Sequence, residues 1–214
     1  MAAVKSFSEP HLAAEIVDAR RAHVREHLER KAALRGLETA PSTLAEAKER
    51  EQKFGILLSP RQAERDFADT LAKAQKWGNG VAVLFVDLDH FKALNDRWTH
   101  ATVDETLLPA TQRLLAKLVQ GRGEAYRLGG EEFLLIMPNM DATEAAAFAE
   151  KLRTAFEREA FQVGGTTQPI TVSVGVALSP DHGNSYGDVL RAANHAEAEA
   201  KKVRNAVRVA PAKT

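Results

Sequence analysis

Residues 126–137 read YRLGGEEFLLIM, and this stretch governs how the rest of the sequence is interpreted. Two apolar runs flank Gly129 and Gly130, so the pattern predicts a β-hairpin whose glycines permit a tight turn with positive φ. Glu131 and Glu132 follow directly, which places two carboxylates at the tip of the hairpin. They belong either to a solvated loop or to half of a metal site, and only the rest of the chain distinguishes these alternatives.

Further strands are predicted on both sides of this hairpin. The continuous apolar run VAVLFVD at 81–87 predicts a strand buried on both faces of a sheet. The alternating stretch QPITVSVGVAL at 168–178 predicts another strand, and VRV at 207–209 predicts an edge strand. Helical patterns separate these strands at 60–77, from Phe91 onward, and at 104–119, 143–159 and 186–203.

Individual residues predict where these helices begin or bend. Ser59 before Pro60 is typical of a helix start, because serine caps the helix and proline suits its first position. Thr143 is the predicted cap of the helix at 143–159. Pro109 predicts a kink within 104–119, unless the regular part of that helix starts later.

The order β-α-β-β-α-β after an entry helix predicts an α/β protein of the α+β type. It is typical of the ferredoxin-like or palm-type arrangement, with helices on one face of a central antiparallel sheet. In that arrangement the first strand is central and lies beside the hairpin strands. We therefore expect the end of VAVLFVD to lie close to the two glutamates.

Length and composition bound the remaining possibilities. At 214 residues the chain is long for one domain, and we expect an N-terminal helical segment at 1–57, for regulation or dimerisation, before a main domain at 58–214. The 29 basic residues balance the 29 acidic ones, which argues against a nucleic-acid partner. There is no cysteine. No apolar run is long enough to cross a bilayer, so the expected location is the cytoplasm.

Three acidic side chains, at the end of the first strand and at the hairpin tip, are candidates for a metal site. Asp87 and Asp89 lie two residues apart and would share one face of the strand. If Asp87 ends that strand beside Glu131 and Glu132, three hard oxygen ligands converge, which suits Mg²⁺. Such a metal site neutralises a triphosphate and activates a hydroxyl for in-line attack. Lys92, just past the strand, is suited to meet phosphate as a point charge.

Three motifs together resemble the GGDEF family of diguanylate cyclases over about residues 58–209. They are DLDHFKALND, RLGGEEF and ITVSVGVA, in this order and at this spacing, and GGEEF is an accepted form of the family signature. The resemblance implies a homodimer, at least transient, in which each subunit holds one GTP. The 3′-hydroxyl of each GTP would attack the α-phosphate of the other, forming cyclic di-GMP and two pyrophosphates. It also implies Mg²⁺ or Mn²⁺ as the cofactor.

The resemblance also implies roles for particular residues. Asp87 and Glu131 would hold the metal ion with the Leu88 carbonyl, and Glu132 would add a metal contact or assist deprotonation. The positions implied to bind substrate are His90, Phe91, Lys92, Asn95, Asp104, Gly129, Gly130, Lys201 and Arg204. Lys92 and Lys201 match phosphate-binding positions, whereas Asn95 and Asp104 match the pair that reads guanine.

The guanine assignment agrees with the chemistry of the base. Guanine presents N1–H and N2–H₂ as donors, and a carboxylate accepts from both, whereas an Asn amide both donates and accepts. Adenine would present a lone pair at N1 to the carboxylate of Asp104, which is unfavourable. Asp104 therefore favours GTP over ATP, although a helix cap is an alternative role for the same residue.

Several positions depart from the family pattern. Thr99 and Val103 stand where the family has glycine, so we expect the loop to take a different path. The entry motif reads QKFGILLS at 52–59, and one residue is missing before Arg204. The inhibitory RxxD motif is replaced by QGRG at 120–123. We therefore hypothesise an enzyme without product inhibition there, which high-affinity product binding through 120–123 would refute.

Two alternatives stay open from the sequence. The first is a related cyclase with a different nucleotide product, which the altered positions Thr99 and Val103 suggest. The second is a degenerate module that binds GTP as a sensor and regulates a partner without turnover. The input signal, and a possible upstream sensor partner, are not indicated by any motif.

Overall fold

The computed structural model describes residues 48–212 of the chain. The helical segment predicted at 1–57 lies outside the described residues as far as residue 47, so its helices and its regulatory role stay predictions. The structural unit that contains the rest of the chain begins at Lys48. Within it Glu51 and Leu57 are buried, so residues 48–57 pack with the domain predicted at 58–214.

The described chain alternates helices and strands in the predicted order. The elements are α1 (Pro60–Gln75), β1 (Val81–Leu88), α2 (Phe91–Val119), β2 (Glu124–Gly129), β3 (Glu132–Pro138), α3 (Ala142–Arg158), β4 (Phe161–Val163), β5 (Thr166–Gln168), β6 (Val172–Ser179), α4 (Tyr186–Lys201) and β7 (Ala206–Val209). None of the helices within residues 48–212 is long and apolar enough to span a membrane.

A five-stranded sheet carries the fold, in the order β2-β3-β1-β6-β7. β1 is central and pairs antiparallel with the hairpin strand β3, as predicted. It also pairs antiparallel with β6. β7 is an edge strand, also as predicted, and it runs parallel to β6. The separate two-stranded sheet of β4 and β5 was not predicted, because each of its strands has only three residues.

Both faces of β1 are covered, which explains its uninterrupted apolar sequence. Ala82, Leu84 and Val86 join the core beneath α2 and α3. Val81, Val83 and Phe85 join a second core beneath α1 and α4. The prediction of helices on one face holds for α2 and α3, the helices of the β-α-β-β-α-β unit. It was incomplete, because the entry helix α1 and the last helix α4 cover the opposite face.

The helix starts were predicted with mixed success. Ser59 caps α1 by accepting a hydrogen bond from the Gln62 N–H, with proline at the first helical position, as predicted. The prediction of Thr143 as a cap was wrong, because Asp141 caps α3. Asp141 and Glu144 form a capping box, in which each side chain accepts from the backbone of the other residue.

The break in α2 lies at Thr99, so the prediction of a kink at Pro109 was wrong. Thr99 has φ 71° and ψ 151°, whereas Pro109 keeps helical backbone angles and is buried. Thr99 Oγ1 accepts a weak hydrogen bond of 3.4 Å from the Thr102 N–H, so the regular helix begins just after Thr99. This is earlier than the predicted start at Asp104.

Thr99 adopts a backbone conformation that is normally reserved for glycine. The sequence predicted a different loop path because the family glycine is replaced here. The chain adopts a positive φ at this position and carries a β-branched side chain on it, which strains the junction. Val103 lies in the regular helix and is fully buried, so no glycine is needed there.

Replacing Thr99 with glycine is expected to stabilise the domain. Relief of a strain of about 1–3 kcal/mol exceeds the lost cap and the added chain entropy, so the net gain in unfolding free energy is about 1 kcal/mol. Urea denaturation of Thr99→Gly measures this gain. The control Ala101→Gly in the same helix should instead lose roughly 0.5–1 kcal/mol. Equal losses in both variants would contradict the strain at Thr99.

Candidate active site

The carboxyl end of β1 meets the tip of the β2–β3 hairpin. Asp87 lies opposite Glu132 on β3 and opposite Ser173 on β6. The Leu88 N–H donates to the Glu131 carbonyl at 3.3 Å, which ties the two chain segments together. The structure therefore brings Asp87 beside the two glutamates, at the place where the sequence predicted a metal site.

Lys201 reaches this site from the last turn of α4. Its Nζ lies 2.5 Å from Asp87 Oδ1 and 3.1 Å from the Leu88 carbonyl oxygen. Both groups are among the predicted metal ligands, so in this structure the ammonium lies on the groups that an ion would contact. The sequence predicted Lys201 near phosphate but not this contact.

Gly175 on β6 permits the close approach of α4. A Cβ atom at this position would lie 2.0 Å from the Ala193 carbonyl oxygen and 2.2 Å from the Glu197 nitrogen. Real Cβ atoms do not approach backbone this closely, so only glycine allows α4 to pack against the sheet here. The position of Lys201 over Asp87 depends on that packing.

Negative charge dominates the electrostatics of the site. The pKa of Asp87 is raised to about 6, mainly by burial, while the contact with Lys201 opposes this shift and the charges of Glu131 and Glu132 add to it. Glu197, which the sequence analysis did not select, is 6% exposed behind the site, and its Oε1 has no hydrogen-bond partner within residues 48–212. Burial, followed by the charge of Asp87, raises the pKa of Glu197 to about 7. The site therefore holds more carboxylates than cations.

The candidate ligand atoms are of the type that hard divalent cations prefer. Asp87, Glu131, Glu132 and the Leu88 carbonyl offer only oxygen atoms, which Mg²⁺ and Mn²⁺ prefer. Among the described residues, neither glutamate side chain has a hydrogen bond or ion pair to satisfy its charge. In their present positions, however, no three acidic or imidazole side chains of residues 48–212 enclose an ion. Binding would therefore need Glu131 and Glu132 to turn towards Asp87.

Asp89 has a structural role. Its carboxylate is buried and accepts hydrogen bonds from Thr171 Oγ1, Ser173 Oγ and the Asn205 N–H, each at 2.8 Å. These bonds join the residue that follows β1 to the start of β6 and to the residue before β7. Asp89 follows the last residue of β1, and its Oδ1 lies 3.9 Å from Lys201 Nζ, but its oxygens are already occupied.

Arg127 fixes the glycine turn, and the sequence analysis did not identify it. Its Nε and Nη2 donate to the Gly130 carbonyl at 3.2 and 2.9 Å. The guanidinium lies 5.0 Å from the centre of the Phe54 ring and 3.6 Å from Glu51. The signal in the sequence was a charged residue within an apolar strand. Gly130 itself has φ 48°, as expected for this turn, and Gly129 beside it is exposed.

The predicted guanine-reading pair lies on either side of the break in α2. Asn95 is on the first segment, and its Oδ1 is buried without a partner among the described residues. Asp104 is on the second segment, and its Oδ2 lies 2.6 Å from Lys53 Nζ. The alternative role of Asp104 as a helix cap was wrong, because Asp104 lies inside the helix. Lys53 was not identified from the sequence.

The remaining predicted residues surround this site. Lys92 is exposed in the first turn of α2, after His90, which has φ 58°, and the half-buried Phe91. Arg204 is exposed beyond α4 with φ 58°, and its N–H donates to the Ala200 carbonyl. Its left-handed backbone ends the helix at the place where the family pattern has one more residue. The contacts of these four side chains with substrate stay predictions.

Comparison with known proteins identifies relatives over this domain. MucR of Pseudomonas aeruginosa, a bifunctional diguanylate cyclase/cyclic di-GMP phosphodiesterase, is 36% identical over 120 residues, which cover 56% of this chain and 17% of MucR. The diguanylate cyclase DosC of Escherichia coli K12 is 30% identical over 127 residues, which cover 59% of this chain and 27% of DosC. This chain therefore matches less than a third of the length of either curated relative.

The structural comparison and the family match agree. The active GGEEF domain of a diguanylate cyclase from Vibrio cholerae aligns with a TM-score of 0.66 and 25% identity, covering 73% of this chain and 99% of that domain. The family described as diguanylate cyclase, GGDEF domain, matches residues 57–206. This match spans most of the chain and includes β1, the hairpin and α4, so the chain belongs to the GGDEF family of diguanylate cyclases.

Proposed function

We propose that this protein condenses two GTP molecules to cyclic di-GMP and two pyrophosphates. The observation that carries the proposal is the pairing of Asp87 with Glu132 across β1 and β3, with Lys201 on Asp87 and on the Leu88 carbonyl. A structural sheet end would have no need for such an excess of carboxylates, which is destabilising without a bound cation.

The reaction follows from the chemistry of the substrate. In each of two steps a ribose 3′-oxygen bonds to an α-phosphorus, the bond from that phosphorus to the bridging oxygen breaks, and pyrophosphate leaves with the electron pair. Glu132, exposed at the hairpin tip, is our candidate to accept the hydroxyl proton. A bound Mg²⁺ or Mn²⁺, held by Asp87, Glu131 and the Leu88 carbonyl, would neutralise the triphosphate and acidify the attacking hydroxyl.

Lys201 would move when substrate binds. Its ammonium contacts both Asp87 and the Leu88 carbonyl, so it must leave them if a metal ion is to be held there. A displaced lysine beside a triphosphate meets phosphate oxygens as a point charge. We infer that Lys201 stabilises Asp87 in the empty site and the phosphates in the filled one.

The proposed chemistry needs two copies of the domain. Each copy is assigned one GTP, and the hydroxyl attacking in one copy must come from the nucleotide in the other. We therefore propose a homodimer, at least during turnover, with the N-terminal segment or an upstream sensor partner controlling the encounter. The matched relatives are longer than this chain, so these partners are inferred for this domain alone.

Loss of the hairpin carboxylates should abolish turnover. Glu131→Gln and Glu132→Gln keep the shape of the side chain but remove its charge, so we expect product formation to fall by at least about 100-fold. Mass spectrometry of products from GTP and from ATP, each with Mg²⁺, measures this effect. The exposed Glu64 on α1 provides the matched control, Glu64→Gln, which should stay active.

Each result of this assay has a distinct meaning. Cyclic di-GMP from the wild-type protein, absent in both hairpin variants, would support the proposal. A different cyclic product would favour the related cyclase suggested by Thr99 and Val103. Saturable GTP binding without any product would contradict the proposal and favour a sensor module.

Metal binding should weaken as the pH falls, and the weakening should begin at a higher pH than it would with an aspartate of ordinary pKa. A carboxyl must lose its proton to hold a metal ion, and the pKa of Asp87 is about 6 instead of 3.8. Apparent Mn²⁺ affinity should therefore be constant above about pH 7 and fall roughly tenfold per pH unit below 6. Electron paramagnetic resonance titration of Mn²⁺ without nucleotide measures this dependence.

Replacement of Lys201 should shift the pH dependence of Mn²⁺ affinity in a predictable direction. Its ammonium lowers the pKa of Asp87, so Lys201→Met should raise that pKa and shift the fall in Mn²⁺ affinity to higher pH. The neighbouring Lys202 pairs with Glu199, and Lys202→Met should leave the profile unchanged. Identical profiles for both variants would show that Lys201 does not control the charge of Asp87.

A further inference from the structure

We propose that Lys53 is a specificity-determining residue that donates a hydrogen bond to O6 of the guanine base, beside Asp104. The inference rests on the proposed function, because it assigns Asp104 to the base of GTP. It adds a third polar group to the pair Asn95 and Asp104. Lys53 comes from the segment before α1, in a stretch whose turn chemistry departs from the family pattern.

The position of Lys53 is set by a tightly held turn. The carboxylate of Glu51, which is 8% exposed, accepts hydrogen bonds from the N–H groups of Lys53, Phe54 and Gly55 at 2.9, 2.7 and 3.0 Å. Lys53 Nζ also lies 5.4 Å from the centre of the Phe54 ring, within range of a cation–π contact. The base of the side chain is therefore fixed, and its ammonium is held beside Asp104.

Asp104 can bind Lys53 and a purine together. Its Oδ2 lies 2.6 Å from Lys53 Nζ, and its side chain stays 30% exposed. A carboxylate has about four lone-pair positions, so a lysine on one of them leaves others for a base edge. An ammonium that shares this carboxylate with guanine N1–H can reach O6, because O6 is carried by C6, the ring atom bonded to N1. The other neighbour, the C2 amino group, is a donor and cannot accept from the ammonium.

A second observation points to a ligand at this place. Asn95 Oδ1 is buried and has no hydrogen-bond partner among residues 48–212. Buried polar atoms in folded proteins are nearly always paired. An unpaired acceptor on the segment of α2 just before the break at Thr99 therefore suggests a donor that is supplied from outside. The amino group at C2 of guanine is such a donor.

These three groups complement the edge of guanine atom by atom. Lys53 donates to O6, Asp104 accepts from N1–H, and the side-chain oxygen of Asn95 accepts from the C2 amino group. Adenine opposes all three, since it has an amino donor at C6, a lone pair at N1 and only hydrogen at C2. Unpaired or repelling polar groups discriminate strongly between ligands, so Lys53 would strengthen a preference for GTP over ATP.

A nucleotide analogue that lacks O6 tests the contact directly. The assay compares Lys53→Met with the wild-type protein on GTP and on 2-aminopurine riboside triphosphate, which lacks O6 and the N1–H but keeps the C2 amino group. For GTP we expect kcat/KM to fall about 10- to 100-fold, mainly through KM, as for loss of a hydrogen bond to a charged group. Both proteins lose the N1–H contact to Asp104 with the analogue, and only GTP has an O6 for Lys53 to contact. The two proteins should therefore use the analogue equally well.

Two further variants separate the contact from a general effect on folding. Lys53→Arg keeps a cationic donor and should retain most of the preference for GTP over the analogue. The exposed Lys151 on α3 gives the control Lys151→Met, which should not change either substrate. An equal loss with GTP and the analogue, no loss with either, or tighter GTP binding by Lys53→Met would each overturn the proposal.

Binding without turnover separates this inference from the proposed function. Calorimetric titration with the α,β-methylene analogue of GTP reports affinity even if no cyclic product forms. Weaker binding by Lys53→Met, in a protein that makes no product, would support the contact and reject the proposed cyclase. Normal turnover with unchanged binding by the variant would reject the contact and leave the proposed function intact.

Discussion

The pairing register between β1 and β3 is the constraint on which the candidate site depends. It places Asp87 opposite Glu132, and it also sends alternate residues of β1 into two separate cores. A slip by one residue would turn every side chain of β1 to the wrong face. Hydrophobic burial on both sides of the sheet therefore fixes the position of the carboxylates, without any contact between the carboxylates themselves.

Few cationic groups balance the negative charge of the candidate site. Asp87 is partly buried near other carboxylates, and Lys201 is the cation that contacts it. Asp89, although deeper, is satisfied by three hydrogen-bond donors. Two aspartates two residues apart thus have different functions: Asp89 holds segments of the fold together, and Asp87 carries a charge that favours a cation.

The sequence predicted features that depend on local pattern, and it missed those that depend on distant residues. The apolar run of β1, the glycine turn and the Ser59 cap follow from neighbouring residues, and all are found in the structure. A break between two helical stretches was predicted, but its confinement to Thr99 was not, because threonine rarely adopts that conformation. The kink predicted at Pro109 is not found. The contacts of Lys53 with Asp104 and of Arg127 with Glu51 join residues far apart in the chain, and no spacing rule reveals them.

The close packing at Gly175 makes the site sensitive to substitutions at a position that is not part of it. The atoms nearest to an added Cβ belong to the backbone of Ala193 and Glu197, so they cannot move aside as a flexible side chain would. A single added methyl group would push the C-terminal helix outward, and the lysine at the end of that helix would lift from the aspartate beneath it. Natural variation should therefore be tolerated less at this buried position than at many exposed residues around the candidate site. A loss-of-function allele can arise there without altering any residue assigned to the nucleotide.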